Sequence, residues 1–430
     1  MTPEIRDRIE QIRHGNVPEG YQETILGISP KAWQKSRIDE ICRLSSGSTP
    51  RRDNAENFEG NILWITSGEL KKRVISDTQE KISEKAAVSS HLEMYDPGTV
   101  AIAIYGLEAA GIRGTASIVG RRCTISQACM AFTQFKDVDN EFFYYWYLNN
   151  GQTIGLRYAQ GTKQQNLSTD IVGAFPICFP SLQEQKKIAE ILTTQDKVIE
   201  LKEKRLAEKQ RQKKYLMQQL LTGKKRLPGF DGKWKFVELG KIAKKEKAKN
   251  RSFIYSLVLS NSAQHGVIPQ TDQFDKEIAS EDRIDGYYIV HDGFFVYNPR
   301  ISATAPCGPI NRNETGTTGV MSPLYTVFSI ESKMMNTDFL KQYFSSSCWY
   351  KHMKSVANYG ARHDRMSVSD DDFFLMPIPV PTQEEQTAIA DVLMVADKEI
   401  DLLHRELEQE KQKKKALMQL LLTGIVRVNA

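Results

Sequence analysis

The sequence predicts an α+β molecule in which two similar mixed α/β domains are joined by two long antiparallel coiled-coil helices, with pseudo-two-fold character. Three observations carry this expectation. A 48-residue segment starting at Pro180 (PSLQEQKKIAEILTT…LMQQLLTGKKRL) returns at Pro381 (PTQEEQTAIADVLMV…LMQLLLTGIVRV), with an offset of 201, no gap and 21 identities. The same offset pairs Trp33 with Trp234 and Pro176 with Pro377. Each copy follows a stretch of about 150 residues rich in strand-forming runs. A repeat this long is half a molecule, and two equivalent halves suit a two-part target.

Composition sets the outer bounds. A chain of 430 residues has room for several domains of about 100–200 residues, each with its own core. With 40% hydrophobic and 26% charged residues it reads as an ordinary globular chain. No run of 18 apolar residues occurs, so no membrane span is expected. The N-terminal residues MTPEIRDRIEQIRHG lack the apolar core of a secretion signal, and the cytoplasm is the expected compartment. Six cysteines without C-x-x-C spacing read as free thiols there. The net charge of +5 gathers in clusters at residues 209–214, 224–226, 241–249 and 411–415. One cluster alone is a solvated face; clusters at matching places in two repeats are an electrostatic footprint for a polyanion. The sign of the charge excludes an acidic DNA mimic.

The domains are expected at residues 1–180 (first domain with its N-terminal segment) and 227–381, with the helices in 181–226 and 382–430. In the first domain NILWITSGEL, GTVAIAIYGL and CTISQACMAF read as strands, bounded by turn residues; in the second, SFIYSLVLSN, DGFFVYNP and PLYTVFSI do. Short helical stretches follow them (EFFYYWYLNN; DFLKQYFSSSCWYKHMKS). The ladder is shared where identity fades: Ser126 precedes Phe132 by six residues, as Ser322 precedes Phe328. Residues 161–168 (GTKQQNLS) match residues 360–367 (GARHDRMS) in length and in their end residues. One scaffold with different exposed residues is the pattern of two readers of different things.

Each long helix follows a Pro-rich extended approach, FPICFP or MPIPVP, because proline disfavours helix in the residue before it. Ser181 and Thr382 are placed as N-caps, with Glu184 and Glu385 three residues on to complete capping boxes. Apolar residues follow at heptad spacing: Leu393, Ala396, Ile400, Leu403, Leu407, Leu417 and Leu421, and more weakly Leu192, Ile199, Leu206, Leu216 and Leu220. Gly223 and Gly424 are natural stops. A helix of about 40 residues is roughly 60 Å long and cannot bury its stripe alone, but two can bury each other. Both copies put polar residues at the same two seam positions, Lys209 and Lys213 in one, Glu410 and Lys414 in the other.

No catalytic constellation is present. There is no G-x-x-x-x-G-K-[ST] loop, no H-E-x-x-H helix, no Pro-Asp dipeptide, and the seven histidines lack ligand spacing. Residues 297–300 (YNPR) are similar to the Asn-Pro-Pro-Tyr signature of adenine methyltransferases but lack the second proline and the aromatic, and no Gly-rich cofactor loop precedes them. What remains suits DNA. One loop offers Lys163, Gln164, Gln165 and Asn166; its counterpart offers Arg362, His363 and Arg365. Arg and Lys pair with guanine O6 and N7, Gln and Asn with adenine N6 and N7. A polar surface turn is the plainer reading of either loop alone. Tyr105 with the GLEAAGIRG loop carrying Arg113, and Tyr297, Asn298 and Arg300, end strands at comparable places; a core-edge Tyr and a solvated Arg would explain them as well. Arg51, Arg52, Arg121 and Arg122 are candidate phosphate contacts, which position without specifying.

Two variable domains alternating with two helices of the form P-x-x-x-E-Q-x-x-I-A-x-x-L…L-M-Q-x-L-L-T-G, together with residues 286–300 and 320–328, resemble the specificity (S) subunit of type I restriction–modification systems along essentially the whole chain. The resemblance implies a non-catalytic reader of double-stranded DNA. Each target-recognition domain would read one half of a bipartite, asymmetric site, and the helices would act as a ruler between the halves. It implies two methyltransferase (M) subunits docked on the helices, S-adenosylmethionine on those partners and not on this chain, and motor-nuclease (R) subunits for cleavage. AIAIYGLEAAGIRG and ISQACMAF in the first domain are poorer matches than their counterparts in the second. Two other readings are a coiled-coil scaffold with two globular protein-binding heads and a self-sufficient methyltransferase or nuclease. Salt-dependent DNA affinity separates the first from a reader; S-adenosylmethionine binding separates the second.

Overall fold

The computed structural model describes residues 2–25, 27–109, 111–161, 165–251, 253–273, 281–358 and 364–428. The chain forms two compact units, residues 1–202 with 406–430, and residues 203–405. Each unit therefore takes one half of each long helix.

The first unit begins with a helix (Pro3–Arg13) and a hairpin (Tyr21–Thr24 with Gly27–Pro30). Its main sheet runs Arg43–Ser46, Cys129–Thr133, Val100–Ala103, Ala116–Val119, Val74–Ile75, antiparallel except for the last, parallel pair. Val100–Ala103, Ala116–Val119 and Cys123–Ile125 are buried at every position, as strands covered on both faces are. A second sheet of three strands (Cys123–Ile125, Ile62–Ile65, Lys81–Ile82) flanks it. One side of the main sheet is covered by the helix Asn140–Tyr158, capped by the Asp139 carboxylate on Phe142 N–H at 3.0 Å. This helix is longer than the expected stretch. Its internal glycines are tolerated because neighbours lie too close for a side chain: a Cβ on Gly155 would sit 2.6 Å from Arg113 Cγ.

The second unit repeats the plan. Its four-stranded antiparallel sheet runs Ala243–Lys245, Thr326–Ile330, Phe295–Tyr297, Ile310–Arg312, the same order as in the first unit. Phe132 faces Leu44 and Val100 across the first sheet; Phe328 faces Lys245 and Phe295 across the second. The small sheet under each long helix keeps register to the residue: Pro176 pairs with Arg37, and Pro377 with Glu238, both shifted by 201. The second unit differs in its helices. Thr337–Ser345 and Tyr350–Val356 are separate, because the Ser346 hydroxyl donates to Tyr343 O (2.6 Å) and accepts from Cys348 N–H (3.1 Å), closing a turn.

The long helices span Leu182–Leu220 and Gln383–Leu422 and run antiparallel within each unit. In the first, Lys202 meets Glu406 (2.7 Å), Gln195 meets Glu410 (2.7 Å) and Asp196 meets Lys414 (2.6 Å). In the second, Lys209 meets Glu399 (2.9 Å) and Lys213 meets Asp397. All four polar seam residues thus carry cross-helix pairs, between buried Leu192, Leu206, Leu393, Leu403 and Leu407. Such pairs set register more than stability. Gly223 (φ 67°) and Gly424 (φ 70°) end the helices in the left-handed conformation.

The N-caps hold: Ser181 Oγ accepts from Glu184 N–H at 3.4 Å, and Thr382 Oγ1 from Glu385 N–H at 3.3 Å. The expected capping boxes are corrected. Glu184 instead receives Arg427 Nε and Nη2 at 2.7 Å each, and Glu385 receives Arg226 at 2.5 and 2.6 Å. These arginines are 201 apart, and each lies over the ring of Trp33 or Trp234. A buried carboxylate finds a fixed bidentate cation stronger than a backbone N–H already near solvent. The next residue of the motif is also a clasp. Gln185 donates to Asp137 O (3.0 Å) and Pro180 O (2.8 Å) and accepts from Asp139 N–H (2.8 Å). Gln386 does the same with Met334 O (2.8 Å), Pro381 O (3.0 Å) and Asn336 N–H (2.7 Å). The Glu-Gln pair thus ties each helix start to its domain.

Candidate nucleic-acid interface

In each unit the polar loop singled out in the sequence returns to the end of the central strand of the main sheet. In the first, Leu167 N–H donates to Ile104 O (2.9 Å) and Leu107 N–H to Gln165 O (3.1 Å). In the second, Met366 N–H donates to Pro299 O (2.9 Å) and Ile301 N–H to Asp364 O (3.0 Å). The loops are closed at their bases by Gln160 pairing with Asn166, and by Asn358 N–H donating to Ser367 O (2.9 Å). The two halves therefore build a similar base from different side chains, with described residues flanking each polar loop bonded to a strand-end loop.

Of the candidate side chains, Lys163, Gln164, Arg362 and His363 lie outside the described residues. Gln165 is half-buried and its carboxamide oxygen accepts from Arg113 Nη2. A guanidinium carries only donors, so the oxygen must face it and the NH₂ is left for other partners. Held this way Gln165 has its NH₂ free to donate to a base acceptor such as guanine O6 or N7 or thymine O4, and its oxygen keeps one further lone pair. Its backbone N–H donates to Glu108 at 2.8 Å, and that bond holds the Glu108 carboxyl below the usual carboxylate range.

Arg113 is half-buried and engaged within the unit: its aliphatic part packs on Gly155, its Nη2 is on Gln165, and its Nε is buried without a partner among the described residues. Asn166 pairs through its backbone, and its Oδ1 is likewise buried without a partner. Tyr105 is 36% exposed at the head of the adjoining loop.

In the second unit Tyr297 and Asn298 are corrections. The register that pairs Phe295 with Phe328 and Val100 with Phe132 makes Tyr297 the counterpart of Ile102, not of Tyr105. Tyr297 is 4% exposed, stacks on Phe373 with centroids 5.0 Å apart and donates to Cys307 O; burial pushes its hydroxyl pKa up. Asn298 donates to Asn261 O (2.9 Å) and accepts from Arg300 N–H (3.0 Å), so it braces the turn. Arg300 is the residue that stands where Tyr105 stands. It is exposed, and its backbone pairs with that of Arg365, whose side chain is 27% exposed and 3.8 Å from the adjacent Asp364. Two arginines thus share one strand-end edge.

The candidate phosphate contacts are partly engaged. Arg52 holds Glu80 at 2.7 and 2.9 Å and lies over Phe58 and Trp64, while Arg122 is 3.6 Å from Asp96 with both side chains well exposed. Among the described residues no group of three His, Cys, Asp or Glu could hold a metal ion, and no helix is long and apolar enough to cross a membrane. Residues missed in the sequence are Glu108, which carries no motif, and the Trp–Arg–Glu clasps. The paired Trp33/Trp234 and Arg226/Arg427 would have flagged the clasps.

Residues 30–210 match the type I restriction modification DNA specificity domain. The chain is similar to the MjaVIII type I restriction enzyme specificity subunit of Methanocaldococcus jannaschii, at 22% identity over 93% of this chain and 94% of that protein. It is also similar to the MjaIX specificity subunit of the same organism, at 29% identity over 43% of this chain; that match spans 42%, less than half, of the relative's own length. The fold is similar to that of a type I restriction–modification S subunit from M. genitalium, with a TM-score of 0.54 at 14% identity over 90% of this chain and 96% of that one.

Proposed function

We propose that this chain, which is similar to a type I restriction enzyme specificity subunit over nearly its whole length, is itself such a subunit: a sequence-specific DNA reader with no catalytic site of its own. Each unit reads one half of a bipartite, asymmetric target with its loop-on-strand-end edge. The long helices set the unread spacer and dock two methyltransferase subunits, which carry S-adenosylmethionine; motor-nuclease subunits complete the assembly. The observation that supports this reading best is the repeated edge. Two units with comparable backbone hydrogen bonds between loop base and strand end present Tyr105 and the Gln165 NH₂ in one, and Arg300 and Arg365 in the other. Shared backbone with unlike donors is what two half-sites of different sequence require.

Methylome sequencing of cells with and without the gene tests the proposal. Loss of one bipartite adenine-methylation motif is expected on deletion. An unchanged methylome in cells that express the partner subunits would overturn it. The scaffold reading would instead leave DNA affinity weak and flat with salt, whereas a reader loses affinity steeply as salt rises.

A further inference from the structure

A short turn in each unit is built the same way twice. In the first unit it joins Cys123–Ile125 to Cys129–Thr133, and Ser126 closes it. The Ser126 hydroxyl accepts from Ala128 N–H at 3.3 Å, and its carbonyl from Cys129 N–H at 2.9 Å. In the second unit the turn joins Gly319–Met321 to Thr326–Ile330. There the Ser322 hydroxyl accepts from Leu324 N–H at 3.4 Å, and its carbonyl from Tyr325 N–H at 3.0 Å. These are the serines that stand six residues before Phe132 and Phe328. A serine hydroxyl bonded to the backbone two residues on is a common turn brace. The brace accounts for the shape of the turn and leaves open what the turn displays.

What it displays differs between the units. In the first, Gln127 is exposed and has no hydrogen-bond partner among the described residues. In the second, Pro323 and Leu324 are exposed, Leu324 by 58%. The position is the same. Ile104 N–H donates to Ala128 O at 2.9 Å, and Ile104 O accepts from Leu167 N–H at 2.9 Å. One residue, immediately before Tyr105, thus ties the turn and the base of the polar loop to one strand end. In the second unit Thr326, which follows the turn, pairs with Tyr297 at the corresponding strand end. Pro299 stands there in place of Ile104; its carbonyl accepts from Met366 N–H, but a proline has no N–H to give the turn. The first turn is further fixed by Ser126 N–H donating to Ile65 O at 2.8 Å, and by the backbone of Gly47, where a Cβ would collide with Ile125 O. A side chain carried on so constrained a turn is positioned before any ligand arrives.

We propose that this serine-braced turn is a further reading element of each unit, with Gln127 specifying adenine in one half-site and Leu324 touching a thymine methyl group in the other. A carboxamide with both ends free offers an acceptor and a donor side by side, which matches adenine N6–H and N7. Leu324 brings no polar atom, and the thymine methyl is the apolar feature that a base pair shows in the major groove. The inference rests on the DNA-reading assignment made above.

The test is methylation of a randomised target library by the chain expressed with its methyltransferase partner, as wild type, Gln127→Ala and Leu324→Ala. Gln127→Ala is expected to lower the preference for adenine at one position of one half-site roughly tenfold to a hundredfold and to leave the other half-site as it was. Leu324→Ala is expected to lower the preference for thymine at one position of the other half-site about fourfold, the worth of one buried methyl group. Modified targets check the same contacts on the wild type, without any variant. 7-Deazaadenine, which lacks the N7 acceptor, is expected to impair methylation at the Gln127 position, and uracil, which lacks the methyl, at the Leu324 position. Either variant that keeps wild-type preferences at every position, or that loses methylation uniformly across sequences while the modified base is tolerated by the wild type, overturns the assignment of its residue. A wild-type library without a bipartite motif would remove the DNA-reading assignment itself, and this proposal with it, so the two failures are told apart by the wild-type arm.

Discussion

Replacing Gln386 by leucine removes a fully buried carboxamide while roughly keeping its volume. Three hydrogen bonds disappear: two from Nε2 to Met334 O and Pro381 O, and one from Asn336 N–H to Oε1. Asn336 is the N-cap of the helix Thr337–Ser345, where its side chain holds Asp338 and Phe339 N–H at 2.8 and 3.1 Å, so the loss also loosens that cap. A buried backbone group left without a partner costs about 1–3 kcal/mol. One of the three bonds is fully buried and two are partly so, which brings the sum to roughly 2–4 kcal/mol for the second unit. Against a total of about 5–15 kcal/mol this is a large share. For a unit of about 200 residues it lowers Tm by roughly 5–15 °C. Calorimetry and urea unfolding of Gln386→Leu and of its counterpart Gln185→Leu measure the effect, with near-ultraviolet signals reporting tertiary loss. A loss below about 1 kcal/mol would refute the argument, because it would mean that water satisfies these groups at no cost.

Arg300→Ala and Arg365→Ala are each expected to relax recognition of one half-site by about 1–3 kcal/mol if the lost contact is to a base, with the other half-site's preference intact; methylation mapping on a randomised target library reads this, and uniform loss would assign them to phosphate. Arg113→Met fully frees the Gln165 carboxamide oxygen, so the variant is expected to favour adenine more at one position of the other half-site, and an unchanged preference there would mean that Gln165 does not read a base. Burial pushes the thiols of Cys42, Cys123 and Cys129 up to about 12, so alkylation at pH 8 followed by mass spectrometry is expected to label the half-buried Cys178 and Cys348 first. The purified chain is expected to show no calorimetric S-adenosylmethionine binding until a methyltransferase subunit is added.

Much of the architecture was legible because the chain repeats itself. A segment written twice at one offset reveals two domains, two helices, their caps and their stops without any knowledge of what they touch. The Leu seam was legible for the same reason as any heptad: burial is local in sequence. What was not legible depends on distant partners. Glu184 sits in capping-box position, but its partner Arg427 is 243 residues away, and no local rule ranks that against a nearby N–H. Tyr297 ends a strand beside polar residues and reads as an edge residue. Only the pairing with Phe328 fixes the parity that sends its ring inward. The parallel pairs, Val74–Ile75 with Ala116–Val119 and Cys123–Ile125 with Ile62–Ile65, join strands far apart in sequence that no turn motif announces. In the candidate site, residue types suggested the chemistry, but the division of labour between Arg113 and Gln165 needed the hydrogen bond between them.

The partition of the chain has a consequence for its synthesis. Residues 203–405 form the second unit as one continuous stretch, whereas the first unit needs residues 406–430, which supply core Leu421 and Leu422 and the arginine for buried Glu184. A ribosome adding about 5–20 residues per second delivers that last segment roughly 10–40 s after residue 202 has been made. During this interval the segment that begins at Leu182 carries its apolar stripe bare, so the domain translated first is the one completed last. Nascent chains stalled before residue 406 should therefore depend on chaperones in a way that the released protein does not, and a premature stop there would lose more than its length suggests.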